Sequence, residues 1–484
     1  MSGRLTLGGL WAYLAVGLPI LGALIAPLPS VDLAYQLRAG DGILATGTIP
    51  TTDTFTFTVA GSPWLDQQWA AQAILAAVFR VSGWTGIGVL RAALVGAVFG
   101  FLFIAIRRRN PGVAMRDAAL VTLGAFVVAA VALAPRPQLF GLVLFGAVLA
   151  ILADRRHHPG RLWLIPVLLA AWANVHGSFP LGILVTGLAW VEDVHERAPR
   201  ASRTLLVAIA AALASLVNPV GLRAWEYGAG LAANPVIRSR LTEWQPTSLA
   251  DPAGVLFLLS LGAIGVLLAR RSAVAPWPAL LTLGIFALIG LAAVRGIGWW
   301  APVAAIVAAG LLPASPPLAR ERRATALNTV VAALIALAAV AVLPIWRPLD
   351  PGLGAPRGLV TYAPPGVTAA LGSLVKPGDR IWNPQAWGSW FEFAVPQAKV
   401  AVDSRVELFP VSLWDDVDAV SSARVDWSKV LARWGVTILV TQPGQTTLAQ
   451  ALGGDAGWRR AFADGDGSVW VRADRSGAPL FSVR

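Results

Sequence analysis

Carboxylates able to act as acids or bases stand directly after the first apolar run of the sequence. The stretch VDLAYQLRAGDGILATGTIPTTDTFTFT carries Asp32 at its second position and Asp53 near its end. Burial among apolar neighbours raises the pKa of a carboxyl group, which suits a general base that takes the proton of an acceptor hydroxyl. Asp32 is equally well placed to cap a following helix. A turn after Pro50 explains Asp53 better than chemistry does.

Arginines between apolar segments form a second set of candidates. A guanidinium group binds phosphate through two parallel hydrogen bonds and stays charged when half-buried. Such residues could therefore stabilise a leaving phosphate, although pairing with carboxylates or anionic lipid headgroups explains each one singly. Arg136 in APRPQLF and Arg295, both tightly flanked by apolar segments, are the strongest phosphate candidates. The set comprises Arg136, Arg223, Arg238, Arg240 and Arg295, of which all but Arg223 are predicted to bind phosphate.

A third set could bind sugar or acceptor. His176 lies beside Asn174 in WANVHGSF, and Glu243 precedes Trp244 in TEWQP. The indole could stack on a sugar while the carboxylate binds hydroxyls; a structural hydrogen bond for the histidine and a loop anchor for TEWQP are the alternatives. Magnesium or manganese would suit these oxygen and imidazole ligands, although nothing in the spacing demands a metal. The candidate metal ligands are Asp32, Asp53, His176 and Glu243.

The segment VDSRVELF supplies two further candidates for acceptor binding. Asp403 and Arg405 stand at alternate positions, so they would share one face if this segment were a strand. They could reach a bound acceptor from there. A row of ion pairs on the surface is the simpler interpretation.

The composition defines the elements that must position these residues. Of 484 residues, 56% are hydrophobic and only 13% are charged, and the mean hydropathy is +0.66. This is typical of a polytopic membrane protein and excludes a single soluble core. The net charge of +12 comes from short, scattered arginine clusters that membrane topology explains, which argues against nucleic-acid binding. With no cysteine, the chain has no disulfide framework.

Apolar segments of suitable length predict about eleven transmembrane helices. Basic residues concentrate in alternate loops, which the positive-inside rule assigns to the cytoplasm together with the N-terminus, so the C-terminus is expected outside. The predicted helices are 7–28, 84–106, 118–134, 139–153, 162–173, 181–191, 205–217, 253–269, 279–294, 299–312 and 326–343. Charges lie at the ends of these segments rather than at their centres, which argues against an ion-coupled carrier.

Two domains are predicted. Residues 1–344 form the transmembrane domain, with a long first external loop at 29–83 that contains a helix near DLAYQLRAGDGILATG and a short strand at TFTFT. Residues 345–484 are rich in Pro and Gly turns, with strand-like runs VTILVTQ and GSVWVRAD and a helical run DWSKVLARWG. They predict a soluble extracytoplasmic α/β domain.

The sequence resembles the GT-C superfamily of integral membrane glycosyltransferases. An Asp just past the first span lies in a long external loop that precedes a polytopic bundle and a soluble C-terminal domain. The pattern D-x5-R-x-G-x2-I-L-x2-G-x-I-P-x2-D-x-F-x2-T, with PRPQLF, ANVHGSF, NPVGLRAW, RSRLTEWQP and VDSRVELF, resembles a group of bacterial GT-C-like membrane proteins. That group often has His where this chain has Gln36, and a His-Glu pair in place of Gln67 and Gln68.

The resemblance implies a multi-pass protein of the bacterial inner membrane and a role in the cell envelope. A sugar would move from a polyprenyl-phosphate donor to an extracytoplasmic glycan, lipid or protein, with inversion at the anomeric carbon. Asp32 would act on the acceptor or support a metal. The alternative function, to which the three glutamines point, is a non-catalytic scaffold or transporter that binds a lipid-linked glycan.

Overall fold

The structure of this protein is a computed structural model that describes residues 4–271, 275–314 and 319–474. The ends of the predicted domains, residues 1–3 and 475–484, lie outside the described part, as does the side chain of Arg320. The described chain is mostly helical, with a small sheet near its C-terminal end.

The long apolar segments of the sequence all form helices, because a helix satisfies every backbone hydrogen bond within the segment. The helices in the first 346 residues are α1 (Leu7–Ile25), α2 (Leu33–Thr46), α3 (Trp69–Arg109), α4 (Met115–Ala129), α5 (Pro137–Ala153), α6 (Leu164–Val175), α7 (Pro180–His195), α8 (Ala201–Ala214), α9 (Arg223–Ala233), α10 (Pro235–Arg240), α11 (Pro252–Arg271), α12 (Trp277–Ala292), α13 (Ile297–Leu311) and α14 (Ala326–Ala341).

Each of the eleven predicted spans falls on one of these helices. Five described segments have the length and apolar composition needed to cross a membrane: Leu7–Ile25, Trp69–Arg109, Met115–Ala132, Pro252–Arg271 and Val294–Leu311. Several of the other predicted spans are helices of fewer than 18 residues. The protein is therefore a helical membrane protein, and the count of eleven crossings stays a prediction.

A sharp bend divides α3 at the place where the sequence predicts the end of the first external loop. Gly83 has φ 54° and ψ −150°, a conformation that is essentially restricted to glycine. The segment from Trp84 onward matches the predicted second span.

The chain divides into two compact units. Unit 1 comprises residues 1–26 and 87–346, and unit 2 comprises residues 27–86 and 347–484. Unit 2 thus combines the first loop with the C-terminal segment. The division into domains 1–344 and 345–484 stays a prediction.

The centre of unit 1 is packed with aromatic side chains from three of its helices. The rings of Phe145 and Trp299 lie 5.4 Å apart edge to face, and those of Trp172 and Trp299 lie 6.0 Å apart. Trp172 and Trp300 are fully buried. This core fixes α5, α6 and α13 against one another, and each of these helices adjoins a candidate residue.

One end of unit 1 is held by a network of ion pairs. The guanidinium of Arg155 donates to Glu192 (2.7 Å) and Asp193 (2.8 Å), and its side chain is only 4% exposed. Arg109 also pairs with Glu192, and Thr204 donates to Asp193. These residues belong to loops and helix ends that the charge distribution predicts on the cytoplasmic side.

Unit 2 contains a five-stranded sheet and the helices α15 (Pro365–Leu374), α16 (Gln385–Ala394), α17 (Val411–Ser421), α18 (Trp427–Arg433) and α19 (Thr446–Gly454). The strands, in the order β2-β1-β3-β5-β4, are β1 (Arg380–Trp382), β2 (Lys399–Val400), β3 (Ile438–Thr441), β4 (Trp458–Asp464) and β5 (Gly467–Arg472). Strand β1 is parallel to β2 and β3, whereas β5 is antiparallel to β3 and β4. The predicted α/β organisation is confirmed, with β3, β5 and α18 at the predicted places.

The first loop packs on this α/β core through α2. The guanidinium of Arg38 donates to the carbonyl of Glu392 in α16 at 2.6 Å. The predicted strand TFTFT is wrong, because only Thr56 forms an isolated bridge there, to Val400. The expected helix in this loop is confirmed as α2.

Candidate functional site

Three charged side chains that are far apart in the sequence meet in unit 1. Arg136 donates to one carboxylate oxygen of Glu243 at 2.6 Å, and Arg295 lies 3.6 Å from the other. All three side chains are between 22% and 27% exposed. A ligand can therefore reach a cluster that is shielded on most sides. We call Arg136, Glu243, Trp244, Arg295 and His176 the Arg136 cluster.

Backbone turns place these residues at helix ends. Arg136 is the N-cap residue of α5, directly before Pro137, and its extended backbone ends the preceding turn. Glu243 belongs to the 3-10 helix Thr242–Trp244, and Arg295 belongs to the 3-10 helix Val294–Gly296. The segments containing these turns are joined by a hydrogen bond from Val294 N to Gln245 O (3.1 Å). The charged side chains of this cluster therefore lie in turns at the ends of apolar helices.

Trp244 covers one of the guanidinium groups. The Cζ atom of Arg295 lies 4.2 Å from the centroid of the indole ring, within the range of a cation–π contact. This contact holds the guanidinium plane against an aromatic face. Trp244 therefore orients Arg295 as well as offering a surface on which a sugar could stack.

His176 is held by two residues that the sequence analysis missed. The backbone N–H of Ser178 donates to Nδ1 of His176 at 3.2 Å, and the Ser178 hydroxyl lies 2.7 Å from the same nitrogen. The indole of Trp172 donates to that hydroxyl at 3.1 Å. Since Nδ1 accepts, the proton of the neutral ring is assigned to Nε2. The only signal in the sequence was a serine two residues after the histidine.

The charges of the cluster act on one another. Burial alone would raise the pKa of Glu243, but Arg136 and Arg295 lower it, so the carboxylate is ionised. Burial, together with Arg295 and Arg136, lowers the pKa of His176 to about 3, so its ring is neutral at pH 7. Two guanidinium groups and one carboxylate leave one positive charge. The N-terminus of α5 adds to the positive potential.

Three other predicted residues of unit 1 lie on nearby parts of the chain. Asn174 donates to the carbonyl oxygens of Ala170 and Val217, both at 2.8 Å, and so ties the end of α6 to the loop after α8. Arg238 is exposed and Arg240 is half-buried on α10. Their roles in binding stay predictions.

In unit 2, Asp32 occupies the N-cap position of α2 without capping it through its side chain. Its backbone carbonyl accepts from Gln36 N at 3.1 Å, as any residue at this position would do. Side-chain capping, one of the two explanations offered by the sequence, is therefore wrong. Burial, and then the Asp32 carboxylate, raise the pKa of the Tyr362 hydroxyl, so the carboxylate lies near this phenol. The catalytic role of Asp32 stays a prediction.

Asp53, Asp403, Arg405 and Glu392 form a second ionic group, which we call the Arg405 cluster. Arg405 Nη2 donates to Asp53 at 2.6 Å, its Nε donates to Asp403 at 3.0 Å, and Glu392 lies 4.0 Å away. All four side chains are 0–1% exposed. The expected row of surface ion pairs is wrong, and VDSRVELF forms a 3-10 helix at Val406–Leu408 instead of a strand.

Aromatic rings and backbone groups complete the Arg405 cluster. The guanidinium carbon of Arg405 lies 4.5 Å from the centroid of Trp64 and 4.9 Å from that of Phe55. Asp53 accepts from the backbone of Phe55 and Thr56, which is the turn role that the sequence favours. Asp53, Asp403 and Arg405 therefore hold the first loop on the C-terminal core. Their predicted role in acceptor binding stays a prediction.

Two buried carboxyl groups, Asp66 beside this cluster and Glu392 within it, gave no signal in the sequence. Burial raises the pKa of Asp66 to about 7, although a hydrogen bond from Gln72 (2.7 Å) and the charge of Arg405 oppose the shift. Burial and the neighbouring Asp403 raise the pKa of Glu392 well above its ordinary value. Both groups lie where one arginine is shared among several carboxyl groups.

Candidate metal ligands do not converge in the described part of the chain. No three His, Asp or Glu side chains there are close enough together to hold a metal ion. In unit 1, His176 contacts Ser178 and Glu243 contacts the two arginines. The predicted metal set of Asp32, Asp53, His176 and Glu243 stays a prediction.

The fold is similar to that of solved oligosaccharyltransferase structures. One neighbour is the Archaeoglobus fulgidus oligosaccharyltransferase tethered through a disulfide bond to an acceptor peptide containing the NVT sequon. Its TM-score is 0.54 at 12% identity, over 89% of this chain and 68% of that one. The apo form of the same enzyme has a TM-score of 0.51 at 12% identity, over 90% of this chain and 69% of that one. This likeness supports the GT-C fold. No family model matches the chain, and no curated protein sequence matches it significantly.

Proposed function

We propose that this protein is a membrane glycosyltransferase that moves a sugar from a polyprenyl-phosphate donor to an extracytoplasmic acceptor with inversion. The observation that carries the proposal is the Arg136 cluster, in which two partly exposed guanidinium groups share one carboxylate. A GT-C-like fold with apolar helices on which a lipid chain can lie supports the same function.

Arg136 and Arg295 are proposed to bind the donor phosphate. When the bond between the anomeric carbon and the phosphate oxygen breaks, the phosphate keeps the electron pair and gains negative charge. Guanidinium groups fixed in advance by Glu243 and Trp244 stabilise this charge without reorganising during the reaction. Arg238 and Arg240 are proposed as outer phosphate contacts on α10.

The sugar is proposed to bind at Trp244, Glu243 and His176. The indole offers an apolar face, and the Glu243 carboxylate accepts hydrogen bonds from hydroxyl groups. The neutral ring of His176 offers the Nε2 proton as a donor, because Ser178 occupies Nδ1. Asn174, at the end of the same helix, is proposed as a positioning residue.

Asp32 is proposed as the base of the transfer. The acceptor oxygen attacks the anomeric carbon from the face opposite the phosphate, and its proton passes to the carboxylate. The acceptor is a glycan, lipid or protein of the bacterial cell envelope. A peptide acceptor was present in one of the structurally similar enzymes, which supports an acceptor of this general class.

Native mass spectrometry of the purified protein tests the donor site. The wild type is expected to carry a polyprenyl phosphate or its glycosylated form, and Arg136→Ala with Arg295→Ala is expected to lose it. The matched control is Arg116→Ala with Arg433→Ala, which removes two exposed arginines that each pair with a carboxylate. Ordinary phospholipid alone in all three proteins would contradict the proposal.

Transfer itself is tested by Asp32→Asn. The variant is expected to keep the bound donor lipid and to lose transfer to a cell-envelope extract by at least about 100-fold, in the range of general-base contributions. Wild-type transfer in Asp32→Asn would remove the base assignment. Donor binding without any transfer in the wild type would favour the non-catalytic scaffold.

A further inference from the structure

A cavity of about 320 Å³ lies at the end of unit 1 that carries the Arg155 ion pairs. Its walls are mainly apolar and include Leu149, Leu188 and Val307, whereas Arg109, Asn110 and Glu192 line it with polar groups. The volume is within the range of small-molecule pockets. It corresponds to roughly ten water molecules of about 30 Å³ each, which is enough for a single hydrocarbon chain.

The cavity is separate from the Arg136 cluster. Arg136 precedes the first residue of α5, and the cavity is lined by Leu149, Leu152 and Ala153 at the last turns of the same helix. A helix of 17 residues is about 25 Å long. A ligand in this cavity therefore occupies the opposite end of unit 1, which the charge distribution predicts to face the cytoplasm.

Arg109 is the charged group best placed to meet a ligand. Arg155 is 4% exposed and is held by Glu192 and Asp193, whereas Arg109 is 30% exposed. Among the described residues, Arg109 donates through Nη2 to Glu192, which leaves donors at Nε and Nη1 for another acceptor. Arg155 is neutralised by Glu192 and Asp193, so the preference for an anionic headgroup comes from the exposed part of the Arg109 guanidinium.

We propose that this cavity binds a single-chain anionic amphiphile. The hydrocarbon chain packs against Leu149, Leu188 and Val307, and the headgroup accepts hydrogen bonds from Arg109. A carboxylate and a phosphate share the required chemistry, because the oxygen atoms of either group accept charge-assisted hydrogen bonds from a guanidinium group. The site is distinct from the proposed donor site and does not depend on it.

Equilibrium binding of tritiated laurate to the protein in phosphatidylcholine nanodiscs tests the proposal. Saturable binding is expected, with displacement by dodecyl phosphate at concentrations similar to unlabelled laurate. Dodecan-1-ol is expected to compete at least 10-fold more weakly, because it lacks the charge. Inorganic phosphate is expected to compete poorly, because it lacks the chain. Full competition by inorganic phosphate would identify a free-anion site instead.

Two variants locate the ligand. Val307→Trp fills the cavity and is expected to abolish saturable binding, whereas Val266→Trp, on an exposed part of α11, keeps it. Arg109→Gln is expected to remove the difference between laurate and dodecan-1-ol, and Arg116→Gln, at an exposed position outside the cavity, is expected to preserve it. Unchanged laurate binding in Val307→Trp, or equal affinities for laurate and dodecan-1-ol in the wild type, would overturn the proposal.

Discussion

The Arg136 cluster and the Arg405 cluster are built from the same residue types and differ in exposure and charge. In the first, two arginines share one carboxylate and the side chains are 22–27% exposed. In the second, one arginine lies within 4.0 Å of three carboxyl groups and all four side chains are 0–1% exposed. The first can therefore accept an anion, whereas the second is closed and already has an excess of carboxyl groups.

The energetic consequences of this difference are opposite. Removing one member of a buried ion group leaves an uncompensated charge and costs about 3–5 kcal/mol. Exposed pairs contribute about 0–1 kcal/mol, because water solvates the remaining partner. Stability should therefore depend on the Arg405 cluster, and ligand binding on the Arg136 cluster. Four experiments test this division.

The largest effect is expected for Arg405→Met. This change leaves Asp53 and Asp403 buried without their cation, so the free energy of unfolding of unit 2 should fall by about 3–5 kcal/mol. Denaturant unfolding in detergent micelles measures it. Arg433→Met is the matched control, because Arg433 is 60% exposed and pairs with Asp416, and it should cost less than about 1 kcal/mol. Equal costs would refute the contrast between the clusters.

A pH dependence of stability is expected from Asp66. Its pKa is about 7 in the folded protein and 3.8 in the unfolded chain, so the folded state binds the proton more tightly. The resulting stabilisation is complete below pH 4 and is lost as the pH rises to 7, by up to about 4 kcal/mol at 1.36 kcal/mol per pKa unit. Unfolding free energies between pH 4 and 8 measure this loss. Asp66→Asn should reduce the dependence of the unfolding free energy on pH. The part that remains is expected from Glu392, whose pKa is also raised by burial.

A smaller effect is expected from two glycines of α2 that differ only in their surroundings. A Cβ atom on Gly40 would lie 2.0 Å from the carbonyl oxygen of Gln72, whereas nothing lies within 4 Å of one on Gly42. Gly40→Ala should therefore cost about 1–3 kcal/mol through overpacking. Gly42→Ala should stabilise by about 0.5–1 kcal/mol, since alanine favours the helix. Thermal unfolding distinguishes them, and equal destabilisation by both would contradict the explanation by close contact at Gly40.

The smallest effect on stability is expected for Glu243→Gln. Arg136 and Arg295 remain partly solvated without the carboxylate, so the free energy of unfolding should fall by less than about 1 kcal/mol. The same denaturant assay measures it beside Arg405→Met. A loss of 3 kcal/mol or more would place the Arg136 cluster among structural ion groups and weaken its proposed role in binding.

The sequence predicts much of the fold because periodicity and hydropathy are local properties. All eleven apolar segments form helices, and VTILVTQ and GSVWVRAD form strands β3 and β5. The predicted strand at VDSRVELF is wrong because alternating residues are also compatible with a 3-10 turn. Here Asp403 accepts from the backbone N–H of Arg405 at 2.7 Å and pairs with its guanidinium. The predicted domains place the first loop with the transmembrane helices, whereas in the structure it belongs to unit 2 with the C-terminal segment. Packing between segments that are distant in the sequence leaves no local pattern from which to predict this.

The chemistry of the candidate residues could be predicted from their types, but only the structure shows which of them contact one another. Arginines at the ends of apolar segments indicated a phosphate site, and Arg136 and Arg295 do share Glu243. Ser178 and Trp172, which orient His176, could not be found, because a serine and a tryptophan next to apolar helices have many ordinary roles. Asp66 gives no signal either, because a carboxyl group in a loop is usually exposed and the sequence does not show that this one is buried.

The sequence by itself determined that this chain is a helical membrane protein with an α/β segment, because the cost of placing polar groups in lipid restricts each apolar segment to a helix. It also determined which side chains could carry charge. Only the tertiary structure decided which charges are exposed and which are buried, because burial depends on segments hundreds of residues apart. Asp53 and Arg405, 352 positions apart, become one closed ion pair in this way.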